Sequence, residues 1–204
     1  MIKLYGHPMS TCTRKVLCTL HETNTPFELV VVDFAKGEHK QPAHVARQPW
    51  GKVPALDHDG FALYESRAMS RYIDGLAGGK LTPTDKKRDA VMEQWISVET
   101  ENFTPNAMKF VYHTVFQRPQ ADDVLAKAAE GLALACGVLD KALAGKTYLV
   151  GDQFTLGDIC YAPYIEYAMN NATAKDIFGK NANVMSWWGR VSERPAWRKA
   201  AGRA

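Results

Sequence analysis

Ile2-Lys3-Leu4-Tyr5-Gly6-His7-Pro8-Met9-Ser10-Thr11-Cys12-Thr13-Arg14 is the stretch from which the fold can be read. Residues 2 to 5 alternate apolar and polar side chains with the period of a strand, and Gly6-His7-Pro8 ends the alternation. Val16, Leu17 and Leu20 then recur at helical spacing, so a helix follows, with Ser10, Thr11 or Thr13 as its N-cap. The unpaired N–H groups of a first helical turn, with the helix dipole behind them, favour a negatively charged partner. A thiolate or a carboxylate meets that description, which makes this turn the candidate reacting centre.

Working outward, Asn24-Thr25-Pro26 is a turn, and the β-branched run Phe27-Glu28-Leu29-Val30-Val31-Val32 predicts a buried strand, completing a β-α-β unit. Residues 34 to 49 are polar and irregular and hold at most a short helix. Val53 to Leu56 and Phe61 to Tyr64 flank Asp57-His58-Asp59-Gly60, where Asp-Gly signals a hairpin, and Pro54 heads a strand without needing an N–H. Ser66 is placed to cap a helix carrying Ala68, Met69, Tyr72 and Ile73. The order to this point is βαβαββα.

Glycine, proline and threonine crowd residues 75 to 84, and no strand signal returns afterwards. The division expected is a first domain over 1–77, a linker over 78–88 and an all-helical domain over 89–204. Val91, Trp95 and Val98 share a face of a helix that bends near Pro105 and continues through Met108, Val111, Tyr112, Val115 and Phe116. Leu125, Ala128, Leu132, Cys136, Leu139 and Leu143 form a second stripe, closed by Ala144-Gly145. Thr155-Leu156-Gly157-Asp158 has the form of a capping box, so a buried helix starts there and Asp158 is structural. A last helix is expected from Val184 to Arg198.

Composition narrows the function. Of 204 residues 46% are hydrophobic and 23% charged, as in a globular protein with a real core. The net charge of +3 is spread along the chain and does not point to nucleic acid. The longest uncharged apolar stretch, Gly131 to Leu139, is about half of what a membrane span needs. Cysteines at 12, 18, 136 and 160 form no CxxC pair and no metal-like spacing, and the strand pattern begins at residue 2, so no export leader and a reducing cytoplasm are expected.

Tyr5-Gly6, Met9-Ser10, Gly37-Glu38-His39-Lys40, Gln48-Pro49-Trp50-Gly51-Lys52-Val53-Pro54-Ala55-Leu56, Glu65-Ser66-Arg67-Ala68, Trp187-Trp188 and Arg194-Pro195-Ala196-Trp197 occur in order along the whole chain. Together they resemble the glutathione transferases, most closely the serine-type phi class and its bacterial relatives. The resemblance implies a thioredoxin-like α/β N-terminal domain, an all-α C-terminal domain, glutathione as co-substrate with no other cofactor and no metal, and a homodimer. It puts Ser10 at the catalytic position, His39, Lys40 and Lys52 at the glycyl carboxylate or backbone of glutathione, and Val53 before a cis Pro54 against its cysteine. Glu65 and Ser66 then meet the γ-glutamyl end. Lys52 departs mildly from plant members, which often carry glutamine there. Small hydrophobic electrophiles are expected between the domains, against His7, Pro8, Met9, Met108, Tyr112 and Phe116.

The chemistry can be argued from the residues. A free thiol with pKa about 8.5 is only slightly ionised at neutral pH. A serine hydroxyl does not remove the proton, but it can donate a hydrogen bond to the thiolate and, with the helix N-terminus, lower the thiol pKa. Cys12 lies two places beyond Ser10 and is expected to be buried and unreactive. The activity expected is conjugation of the glutathione thiolate to hydrophobic electrophiles, or reduction of organic hydroperoxides. The competing reading is a transferase-like module that holds glutathione or a partner protein without turnover, and a thiol oxidoreductase is disfavoured by the missing second cysteine.

Overall fold

The structure, a computed structural model, describes residues 1–203. They form two compact units, Met1–Lys80 with the segment from Pro195 onward, and Leu81–Arg194. The C-terminal segment thus falls with the first unit, although the sequence groups it with the helical residues. The reason is local packing: its helix, Pro195–Ala200, lies against the first helix of the chain and buries Trp197.

In the first unit the elements are β1 (Ile2–Gly6), α1 (Thr11–Glu22), β2 (Phe27–Val31), the short α2 (Pro42–Val45), β3 (Ala55–His58), β4 (Phe61–Tyr64) and α3 (Ser66–Leu76), the expected βαβαββα. The sheet order is β2-β1-β3-β4, with β1 parallel to β2 and antiparallel to β3, and β3 antiparallel to β4. Ile2 and Leu4 of the inner strand β1 are buried with Val16, Leu20, Leu56, Met69 and Ile73. α1 packs on α3, and the buried Thr19 hydroxyl donates to Ser70 Oγ at 3.0 Å across that contact. The β3–β4 turn is Asp59-Gly60 with φ of 53° and 90°, the left-handed pair that an Asp-Gly hairpin requires.

Two expectations for this unit need correction. β2 is an edge strand, not a buried one, and Val31 is 54% exposed; a β-branched run signals strand but not position in the sheet. Ser66 is the first residue of α3 rather than its cap. The cap position belongs to Glu65, at φ 69° and ψ 111°, whose side chain makes no capping bond.

The second unit contains α4 (Lys86–Val98), α5 (Thr104–Thr114), α6 (Asp122–Leu143), α7 (Leu156–Ala168), α8 (Ala172–Gly179) and α9 (Ala182–Ser192). α4 begins inside the stretch read as linker, because Asp85 caps it with Oδ1 accepting the Arg88 N–H at 2.9 Å. Its core face is Met92 and Trp95; Val91 is exposed. A π-helical segment, Glu99–Phe103, joins α4 to α5 ahead of Pro105. Proline offers no N–H and crowds the carbonyl four residues back, so a widened turn accommodates it where a bend was expected. α5 stops at Thr114, short of Phe116, with Gln117 at φ 52°.

The α6 stripe is buried from Ala128 to Leu143, and Gly145 follows the helix at φ 70°, the left-handed end expected there. The capping box of α7 is present, and the helix is buried nearly all round. α8 has no counterpart in the sequence reading; Asn171 caps it, its Oδ1 accepting the Thr173 and Ala174 N–H groups. The single last helix expected over 184–198 is broken, since Arg194 precedes Pro195 and the residue before a proline avoids helical geometry.

Candidate active site

The sheet register brings the candidate residues of the first unit to one end. Gly6 of β1 pairs with Val31, Tyr5 pairs with Ala55, and Ala55 pairs with Tyr64. The connections that leave β1 and β2, enter β3 and leave β4 therefore open at the same edge. They carry Ser10, His39 and Lys40, Lys52 to Pro54, and Glu65 to Ser66 respectively.

The turn between β1 and α1 is tied at several points. Ser10 N–H donates to His7 O at 2.9 Å, Met9 N–H to His7 Nδ1 at 3.2 Å, and Arg14 Nε to Pro8 O at 2.8 Å. Gly6 is required by close approach: a Cβ there would lie 2.7 Å from the side chain of Thr13, which is itself fully buried. Ser10 is the N-cap at φ −73° and ψ 126°, its Oγ accepting the Thr13 N–H at 3.3 Å. The choice left open among Ser10, Thr11 and Thr13 is thereby decided. A hydroxyl has one hydrogen and two lone pairs, so capping uses the oxygen as acceptor and leaves the O–H able to donate.

Cys12 is half-buried, the most accessible of the four free cysteines, and so is not the buried thiol that its helical position suggested. Cys136 shows the contrast: burial, with Asp140 second, pushes its thiol up to about 12. Pro8 and Met9 are exposed and His7 is half-buried.

His39 and Lys40 occupy a 3-10 turn, Glu38–Lys40. Lys40 Nζ donates to Trp50 O at 3.2 Å, which sets one hydrogen bond on an ammonium that has three to give. The Lys52 side chain is exposed, while its backbone is gripped on both sides. Its N–H donates to Gln48 Oε1 at 3.1 Å, and its carbonyl takes a 2.6 Å bond from His44 Nε2. His44 and Gln48 are buried, and neither is assigned a role by the sequence reading. Their only signal there is the spacing of four that puts both on one side of a helical turn. They hold the chain immediately before the Val53–Pro54 bond, which is cis as the resemblance implies. Arg14, likewise given no role, joins the turn between β1 and α1 through its bond to Pro8.

Glu65 is exposed with φ in the left-handed region, a conformation that a side chain with a Cβ adopts only under constraint and that is common at ligand sites. Ser66 is buried at the first position of α3, where the helix N–H groups are unpaired.

In the second unit, Met108 and Tyr112 lie on α5 and Phe116 just beyond it, all half-buried. The core face of α5 is Ala107, Phe110 and Val111 instead. Tyr112 and Phe116 have ring centroids 6.1 Å apart, Phe116 stands edge-on to Tyr167 at 5.7 Å, and Arg118 lies 5.8 Å from the Tyr112 ring.

Residues 1–75 match the family model described as glutathione S-transferase, N-terminal domain, and residues 103–195 the one described as glutathione S-transferase, C-terminal domain. Glutathione S-transferase F13 of Arabidopsis thaliana is 36% identical over 209 residues, covering 98% of this chain and 94% of that protein. The crystal structure of glutathione transferase F7 from Populus trichocarpa superposes with a TM-score of 0.93 at 34% identity, over 100% of this chain and 99% of that one. The structure of glutathione S-transferase I from maize, in complex with an atrazine glutathione conjugate, does so with a TM-score of 0.90 at 28% identity, over 99% and 97%.

Proposed function

The chain belongs to the glutathione S-transferase family, and on that premise we propose that Ser10 is the residue that raises the thiolate fraction of bound glutathione. The chain stands with the plant F-type, or phi, members, and its reaction is the transfer of glutathione, the co-substrate, to an electrophile. The observation that carries the role of Ser10 is its cap geometry: Oγ accepts from Thr13 N–H at the N-terminus of α1 and keeps its own O–H to give. A thiolate beside that hydroxyl receives a charge-assisted hydrogen bond and sits at the positive end of the helix dipole. Both effects favour the charged form and lower the thiol pKa. The sulfur then attacks the electrophilic atom and displaces the leaving group, with no covalent bond to the enzyme.

The tripeptide needs complements for two carboxylates and an ammonium. His39, Lys40 and Lys52 take the glycyl end, the backbone of Val53 before Pro54 pairs with the cysteine residue, and Glu65 with Ser66 takes the γ-glutamyl end. Glu65 offers a carboxylate to the ammonium, and the buried Ser66 with the α3 N–H groups receives the α-carboxylate. The hydrophobic electrophile is assigned to the half-buried face of Met108, Tyr112 and Phe116, with His7, Pro8 and Met9 flanking the sulfur.

We read the working unit as a homodimer serving detoxification in the cytoplasm. Trp50 is 66% exposed, and Phe61 and Tyr64 are exposed on the edge strand β4; large aromatic side chains of this kind are what a subunit contact buries. The free cysteines suit a reducing compartment. Sedimentation at micromolar concentration tests the dimer, and a fully active monomer refutes it.

The deciding experiment is a titration of the thiolate absorbance of bound glutathione in wild type and Ser10→Ala, with turnover of a chloronitrobenzene measured alongside. The substitution is expected to raise the thiol pKa by about one unit or more and to lower turnover at neutral pH accordingly. Identical titration curves would reduce Ser10 to a cap.

A further inference from the structure

Phe34 has no place in the core. It is 42% exposed, and the rings in contact with it are two imidazoles. Its centroid lies 5.1 Å from that of His7, tilted by 31°, and 5.0 Å from that of His39, edge-on at 79°. Phe34 thus joins the turn that carries Ser10 to the turn that carries His39 and Lys40.

The backbone around it is closely tied. Asp33 Oδ1 accepts the Ala35 and Lys36 N–H groups at 2.8 and 3.2 Å, Gly37 N–H donates to Phe34 O at 3.1 Å, and Asp33 and Glu38 exchange two bonds, one to Glu38 Oε2 at 2.8 Å and one to Asp33 O at 3.0 Å. The direction of the phenyl ring is set by this loop. His7 is held as well, since its Nδ1 accepts the Met9 N–H, which places the ring proton on Nε2. The His39 ring has no such tie: neither ring nitrogen makes a hydrogen bond among the described residues, and Nδ1 is buried without a hydrogen-bond partner. An edge-on aromatic contact is directional, so the ring that makes it selects one orientation of the imidazole.

We infer that Phe34 is a positioning residue for glutathione, holding the His39 ring in the orientation in which it meets the glycyl end. The inference rests on the assignment of His39 to the glutathione site made above. In this role Phe34 acts on glutathione binding through His39, its second contact being the His7 ring.

The test is steady-state kinetics with varied glutathione at saturating chloronitrobenzene, on Phe34→Ala, Phe34→Tyr, His39→Ala and the Phe34→Ala/His39→Ala pair. Phe34→Ala is expected to raise KM for glutathione about three- to tenfold, the range of one aromatic pair, with kcat within about twofold. Phe34→Tyr, which keeps the ring, should restore the wild-type KM, and thermal stability should not move because the side chain is exposed. In the His39→Ala background Phe34→Ala should add nothing further, since the two act as one unit. Multiplying effects in the double variant, or an unchanged KM in Phe34→Ala beside a raised one in His39→Ala, would overturn the role of Phe34 and leave the glutathione site standing. An unchanged KM in His39→Ala would instead remove His39 from that site, and the inference with it.

Discussion

Trp187 Nε1 donates a 2.8 Å hydrogen bond to Asp158 Oδ1, joining α9 to the first turn of α7 in a place where both side chains are fully buried. The same carboxylate also accepts Leu149 N–H at 3.0 Å, Thr155 N–H at 2.9 Å and the Thr155 hydroxyl at 3.0 Å. Burial holds the Asp158 carboxyl above its usual range, the four donors opposing that rise without cancelling it. The arrangement pins the loop before α7, the helix itself and α9 to one group.

Asp158→Ala should therefore destabilise the protein by about 3–5 kcal/mol, because three buried N–H donors lose their acceptor at once. Asp158→Asn should be nearly as severe, as its NH₂ would face a donor. Urea unfolding of both variants checks this; a loss under about 1 kcal/mol would mean that water satisfies the donors.

The capping role of Ser10 and the chemical role proposed for it can be separated. Ser10→Ala should lower stability by about 1 kcal/mol, whereas Ser10→Gly should cost only a few tenths, since glycine is a tolerated cap. Both remove the hydroxyl and should lose transferase turnover to the same extent. If Ser10→Gly kept its activity, the helix terminus alone would be lowering the thiol pKa.

Glu65 pays with its backbone for the position of its side chain, at φ 69°. Replacement by glycine, which enters that region freely, should raise stability by about 1 kcal/mol while raising KM for glutathione. A variant that is stabler yet binds less well is the expected signature of strain held for a ligand; stability and KM moving the same harmless way would deny Glu65 its part in binding.

Asp59 meets the N-terminal ammonium at 2.6 Å, and that hydrogen bond and charge hold its carboxyl below the ordinary 3.8. A lowered carboxyl pKa contributes stability above the unfolded value and loses it as pH falls through the lowered one. The difference in Tm between wild type and Asp59→Asn should thus be steady at neutral pH and close on the acid side, below about 3.8. Because both groups are well exposed, the gap should also shrink with added salt. A gap that is constant down to strong acid would rule out the ion pair as its source.

Local chemistry was what the sequence made legible. The Asp59-Gly60 turn and the Thr155 to Asp158 capping box each depend on residues within four positions of one another, so their patterns survive in one dimension, while at the start of α1 the sequence offered three hydroxyls and the structure chose Ser10. Where a neighbour from far along the chain decides, the pattern misleads. Val31 is exposed although its run reads as buried, and Val91 is exposed although it shares a helix face with the buried Trp95, because exposure depends on which strand or helix lies alongside. The break at Arg194 and Pro195 was written in the proline itself and was overridden by the longer apolar rhythm through Trp187, Trp188 and Trp197. His44 and Gln48 showed only a spacing of four, and Phe34 no signal, because the partner that each side chain meets is set by the fold.

By itself the sequence determined the βαβαββα order of the first unit, the capping box that starts α7, the β3–β4 hairpin and, through its motifs, the family. Only the tertiary structure decided that Ser10, His39, Pro54 and Glu65 leave the sheet at the same end. That convergence follows from β1 lying between β2 and β3, parallel to one and antiparallel to the other, with β4 returning beside β3. Strand pairing is a non-local choice, made by backbone hydrogen bonds and by the burial of Leu4 and Leu56 together, and no spacing along the chain encodes it.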